Sequence, residues 1–167
     1  VSAWQVPGDG EPVPVADALA AAHTPVTLPQ RWGRAWSTWW FRLEGMMPEG
    51  SGCGPVLLEA DLGFVDDWPG NQCEGMLYAA DGTALKAINS RNRRYRLKAE
   101  AGEDLRFHLE AAANPDMMAG GTTPTELGDR LTAGPEPVYE LRTARIVERD
   151  DDVWGLWHDI DVLRGLA

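Results

Sequence analysis

The sequence predicts an all-β domain, a sandwich of short antiparallel strands, that hands over to a single helix at its C-terminal end. Two observations carry this. From Trp36 to Val147 short runs alternate apolar and polar residues, and clusters of Gly, Pro, Asp and Asn separate them. From Val153 the period changes, with Val153, Leu156, Trp157, Ile160, Leu163 and Leu166 at the three-and-four spacing of an amphipathic helix.

Taken in order, residues 1–35 hold Pro7, Pro12, Pro14, Pro25 and Pro29 around one Ala-rich stretch, Val15 to Ala22, and predict an irregular leader with one short helix packed on the sandwich. The first strand is expected over Trp36 to Glu44. Side chains alternate across a sheet, so Trp39, Phe41 and Leu43 form its core face, while Trp36, Thr38, Trp40, Arg42 and Glu44 form the other. Val56 to Phe64 repeats the device, with Leu58, Ala60, Leu62 and Phe64 on one face and Leu57, Glu59 and Asp61 opposite. Met76 to Tyr78 and Ala84 to Ile88 flank Asp81-Gly82, a dipeptide that tolerates the positive φ angles of a tight hairpin turn.

Arg94 to Leu97 is a short strand, and Leu105 to Ala111 alternates Leu105, Phe107 and Leu109 against Arg106, His108 and Glu110. A long Gly/Pro/Thr loop follows from Asn114 to Pro137. Val138 to Val147 reads as the last strand, with a phase slip between Leu141 and Ala144 that predicts a bulge. Asp150, Asp151 and Asp152 then sit where a helix cap and the positive end of the helix dipole favour carboxylates. The expected organisation is a leader over 1–35, a β-sandwich domain over 36–149 and a helix over 150–167.

Composition narrows the function. The 167 residues carry 15 Lys plus Arg against 26 Asp plus Glu, a net charge of −11, which argues against a nucleic-acid or anionic-membrane partner. An apolar fraction of 44% can supply the core of one domain of this size. No run approaches the roughly 18 apolar residues of a membrane helix. Only Cys53 and Cys73 occur, with no Asn-x-Ser/Thr acceptor, which suggests an intracellular, cytoplasmic setting. A chain that opens on Val1 and stops inside an apolar-periodic run reads as a piece of something longer.

Local chemistry is sparse. His23, His108 and His158 have no metal-ligand spacing, and His108 falls on the polar side of its strand, where a solvated position is expected. No zinc-hydrolase or nucleophile-elbow motif occurs. The eight Trp are the informative excess, since flat rings stack on sugars as well as filling cores. Trp36 and Trp40, on one face with Arg42, therefore mark an interface, covered either by the leader or by another domain, or a sugar platform. The segment from Gly63 to Gly75 concentrates Asp66, Asp67, Trp68, Asn71 and Glu74 between two strands, the setting ligand binding uses, although a self-satisfied connector fits as well. Its three acids match no trusted calcium-loop spacing. A standalone glycosidase acting through Asp66, Asp67 or Glu74 stays as a minor alternative.

The same segments carry a resemblance. Trp36-Ser37-Thr38-Trp39-Trp40-Phe41-Arg42, Asp61-Leu62-Gly63-Phe64 with Asp67-Trp68-Pro69-Gly70-Asn71-Gln72 and Glu74-Gly75, Asp81-Gly82-Thr83 with Lys86-Ala87-Ile88-Asn89, Glu110-Ala111-Ala112-Ala113-Asn114-Pro115, Pro124-Thr125-Glu126-Leu127-Gly128 and Asp161-Val162-Leu163-Arg164-Gly165-Leu166 occur in order and span about residues 32–167. Together they resemble the N-terminal β domain of α-mannosidases of glycoside hydrolase family 38. The resemblance implies a galactose-binding-like jelly roll ahead of a catalytic barrel, in an enzyme that removes α-linked mannose with retention, using zinc and an Asp nucleophile. The family's zinc-binding Gly-His-Ala-His-Ile-Asp-type segment is absent from these residues, so no catalytic or metal residue carries over.

The expectation is a non-catalytic domain with no cofactor of its own, zinc belonging to a catalytic domain outside this sequence. Its partner would be that catalytic domain of the same chain, in a full-length protein able to form homo-oligomers. Trp36, Trp40, Arg42, Asp66, Asp67, Trp68, Asn71, Glu74 and Asn89 are the candidates for a ligand or domain interface. The alternative is an autonomous module that binds a mannoside by stacking it on tryptophan.

Overall fold

The computed structural model describes residues 1–8, 12–50, 52, 54–66, 70, 72–115 and 130–166. Eleven strands run in chain order as β1 (Ser2–Gln5), β2 (Thr24–Pro25), β3 (Gln30–Trp32), β4 (Thr38–Met46), β5 (Val56–Asp61), β6 (Glu74–Ala79), β7 (Ala84–Ile88), β8 (Arg94–Arg96), β9 (Asp104–Ala112), β10 (Tyr139–Leu141) and β11 (Thr143–Glu148). Among the described residues two α-helices accompany them, α1 (Val15–Ala20) and α2 (Asp151–Leu166), with a 3-10 turn over Arg130–Thr132. A six-stranded sheet has the order β2-β1-β4-β9-β6-β7, a three-stranded sheet the order β11-β5-β8, and β10 pairs with β3. Every pairing between these strands is antiparallel.

The core lies between the sheets. Phe41 and Leu43 from β4, Leu58 and Ala60 from β5, Leu77 from β6 and Leu109 from β9 are all buried there, as strict alternation requires. Trp32 crosses Phe41 edge to face at 5.7 Å and stacks on Tyr139 at 5.5 Å. The hairpin turns where Asp81-Gly82 predicts, with Gly82 at φ +87° and the Asp81 carboxylate accepting from the Thr83 N–H at 2.9 Å.

Three expectations change. The leader is not outside the sandwich, because Ser2 to Gln5 extends the main sheet by pairing with Trp39 to Arg42, and β2 and β3 come from the same segment. Short strands bordered by Pro carry little periodicity, so pairing rather than pattern defines them. The strand expected from Trp36 starts instead at Thr38, since Trp36 adopts φ +69°, a left-handed conformation incompatible with a strand. The predicted bulge is a full break: β10 ends at Leu141, Arg142 interrupts, and β11 joins a different sheet.

The helix predicted from Val153 is present, and its N-terminus is capped as expected. The Asp150 carboxylate accepts from the N–H groups of Asp152 at 3.1 Å and Val153 at 3.0 Å. No described residue of α2 is buried, so its apolar stripe faces solvent throughout. Among the described residues no helix is long and apolar enough to cross a membrane.

Candidate functional site

Antiparallel pairing collects the candidate segments at one end of the sandwich. Thr38, Ala112 and Glu74 form one row across β4, β9 and β6, and Gly75 faces Ile88 across β7. The turn 33–37, residues 62–66 and 72–73 of the connector, the turn 89–93 and residues 113–115 therefore share that end. Loops carried at one end of a rigid sandwich are where such folds place binding groups.

The described ends of the connector, residues 62–66 and 72–73, are anchored from several sides. Asp61, at the end of β5, accepts with Oδ1 from the N–H groups of Gly63 at 3.0 Å and Phe64 at 3.1 Å. Its Oδ2 pairs with Arg142 at 3.4 Å and Arg93 at 3.5 Å. Arg93 also pairs with Asp66 and lies 5.3 Å above the Phe64 ring. Buried Gln72 clamps Val65, accepting its N–H at 2.8 Å and donating to its carbonyl at 3.1 Å. Trp32 Nε1 donates to the Leu62 carbonyl at 2.9 Å, and Asn114 Nδ2 to the Gln72 carbonyl at 3.1 Å. Tyr139 OH donates to the Asn114 carbonyl. Composition signalled the connector; the residues that hold it, Trp32, Asn114, Tyr139 and Arg142, are remote in sequence and carried no local signal.

Among the predicted residues, Glu74 and Asn89 come together. They line a concavity of about 360 Å³ with Met76 and Glu110. Because Glu74 faces Ala112 and Met76 faces Glu110, the two carboxylates are diagonal neighbours on one face, about 7–8 Å apart at Cα. Tyr78 OH donates to Glu110 at 3.0 Å, and burial foremost, then this bond, pushes the phenol pKa up to about 12. The Asn89 amide oxygen serves its own turn, accepting from the Arg91 N–H at 3.0 Å. This arrangement offers hydrogen-bond acceptors, the groups that bind hydroxyls. Asp66 is exposed but ion-paired, and Trp36 is 37% exposed on a turn held by its N–H to the Ala113 carbonyl at 2.8 Å. Asp67, Trp68 and Asn71 lie outside the described residues, as does Cys53.

Trp40 and Arg42 belong elsewhere, which corrects their grouping with Trp36. Trp40 is 0% exposed, packed with Val6 and Ala18 under the leader and stacked on Tyr78. Its ring has no face left for a sugar. Arg42 Nη2 donates to the Leu19 carbonyl at 3.4 Å and lies 3.2 Å from His23 Nδ1. His108, expected in solvent, is 3% exposed, with its ring 6.0 Å from that of His23. Burial, then the Arg42 charge, pushes the His108 pKa down to about 4. Burial likewise lowers His23, against a hydrogen bond to the Ala21 carbonyl that raises it. The leader converts the polar face of the main sheet into a second interior, which alternation within the strands could not reveal.

Comparison with protein families decides the relationship. The family model described as the jelly roll domain of alpha-mannosidase matches residues 1–147. The chain belongs to that family. The match includes the leader, in keeping with the place of β1 in the main sheet. A comparison with curated proteins found no match. Among the described residues no three His, Cys, Asp or Glu side chains are placed to hold a metal ion, and the one histidine pair sits beside the Arg42 guanidinium, which repels a cation.

Proposed function

We propose that this jelly roll is the non-catalytic N-terminal domain of an α-mannosidase of glycoside hydrolase family 38, packed against the catalytic domain and bordering its active site. The match of residues 1–147 to a domain of alpha-mannosidases carries this reading. Two features of the molecule support it. Helix α2 presents Val153, Leu156, Trp157, Ile160 and Leu163 to solvent, an apolar stripe that a neighbouring domain would bury. The anchored connector and the concavity with Glu74, Asn89 and Glu110 sit at one end of the sandwich, where they can face a substrate held by another domain. Zinc and the nucleophile then belong to the catalytic domain, with retention as its stereochemical outcome. Two cysteines and no glycan acceptor support a cytoplasmic setting.

The purified chain is expected to leave 4-nitrophenyl α-mannoside intact. Hydrolysis that persists in chelator and is lost in Glu74→Gln would overturn the assignment. The autonomous sugar-binding alternative retains Trp36 as its described exposed platform, since Trp40 is covered. Calorimetry with mannose and short α-mannosides on the wild type and Trp36→Ala tests it, and a flat isotherm leaves the structural role standing.

A further inference from the structure

The outer face of the three-stranded sheet holds a concavity of about 590 Å³ between the turn after β7 and the start of α2. Its lining brings together six cationic side chains, Lys86, Arg91, Arg93, Arg94, Arg96 and Arg149, and one carboxylate, Glu59. In a chain of net charge −11 this concentration runs against the overall sign. Four of the cations are engaged. Arg94 pairs with Glu59 at 3.2 Å, Arg93 with Asp61 and Asp66, Arg149 with Asp151 at 2.7 Å, and Lys86 Nζ donates to the Arg94 carbonyl at 2.8 Å. Glu59 is already shared with Arg145 at 3.1 Å. Arg91 and Arg96 are exposed and their guanidinium groups form no ion pair among the described residues.

A second observation points the same way. Ser90 lines the same concavity and is 8% exposed, yet its Oγ is buried without a hydrogen-bond partner. A buried hydroxyl left unmatched is costly, so the unpartnered Ser90 Oγ calls for a ligand group or water to complete it. We propose that this concavity binds a phosphate or sulfate group, with Arg91 and Arg96 as guanidinium donors and the Ser90 hydroxyl as a neutral one. The guanidinium fork matches the oxygens of a tetrahedral anion, and a dianion suits a surplus of positive charge gathered in a hollow. An extended acidic protein surface suits it less, because Glu148 and Asp150 line the adjoining cleft and would repel it.

Isothermal titration of the full chain with inorganic phosphate, at constant ionic strength, tests the site. Saturable one-to-one binding is expected, weakened roughly tenfold or more in Arg91→Ala/Arg96→Ala, whose side chains make no ion pair among the described residues. Ser90→Ala is expected to weaken binding several-fold without lowering the melting temperature, since it removes an unsatisfied group. A hexose phosphate run beside the same hexose without phosphate tells a sugar-borne anion from free phosphate; tighter binding of the ester assigns the former, equal binding the latter. No saturable phosphate binding, or binding unchanged in the double variant, would overturn the proposal. So would binding of poly-glutamate, lost in the double variant, with no response to phosphate; that result would make the hollow a protein-docking surface.

Discussion

The indole of Trp40 stacks on the phenol of Tyr78 with ring centroids 5.2 Å apart and planes at 28°. The pair lies on the face of the main sheet away from the central core, where Val6 and Ala18 close over Trp40. A ring in that position holds the leader to the sheet. Trp40→Ala is expected to destabilise the chain by about 3–5 kcal/mol, read by urea denaturation, as loss of a fully buried large aromatic does. A change under about 1 kcal/mol would show that the leader does not depend on this contact.

The second interior also makes stability depend on pH. His108 has its pKa pushed down to about 4 from 6.5, burial being the largest cause, and His23 is lowered as well. Arg42 and Arg106 add repulsion to the imidazolium of His108, while Glu44 opposes them. Between pH 6.5 and 4 the unfolded chain therefore binds more protons than the folded one, and stability rises with pH across that window. The loss on acidification is on the order of 3 kcal/mol for His108. Denaturation midpoints at pH 7 and 4.5 check this, and His108→Gln is expected to flatten the profile.

Gly63, in the candidate connector, cannot gain a side chain cheaply. Its φ is +106°, and a Cβ there would come within 2.9 Å of both the backbone N and O of Glu140. Gly63→Ala is expected to cost more than about 2 kcal/mol, because neither backbone can move without breaking the β3–β10 pairing. Thermal denaturation reads the loss.

Asp61 fixes the same connector by charge. It accepts two backbone N–H groups and neighbours two arginines, so Asp61→Ala leaves two backbone donors short and removes a counter-charge from both guanidinium groups. A loss of about 3 kcal/mol is expected, with Asp61→Asn smaller because it keeps one acceptor oxygen. Hydrogen exchange at Gly63 and Phe64 is expected to quicken in both variants.

Helix α2 makes the opposite prediction. With no described residue buried, Leu156→Asp/Leu163→Asp is expected to leave the denaturation midpoint of the sandwich within about 0.5 kcal/mol of wild type. Association with a catalytic domain, or of the chain with itself, is expected to weaken, as sedimentation would report.

Much of the fold was legible in the sequence. Alternation placed Phe41, Leu43, Leu58, Ala60 and Leu109 in the core, Asp81-Gly82 named the hairpin, and Asp150 named the helix cap, because each signal lies within a few residues along one element. The strings resembling α-mannosidases were enough to name the family. Of the candidate site, sequence pointed to Glu74 and Asn89 but not to the part played by Glu110, which joins them, and meets the Tyr78 hydroxyl, only when β9 pairs with β6.

Only the tertiary structure decided what the leader covers. Trp40, Arg42 and His108 sit on the polar side of their strands, and period two says which face a residue takes but not whether anything packs on that face. Likewise the net charge of the sequence describes an acidic molecule, whereas the turn after β7, strand β8 and the start of α2 together set six cations around one hollow. Composition sums over the chain. Pairing and packing choose which charges and rings become neighbours, since those contacts join residues far apart in sequence.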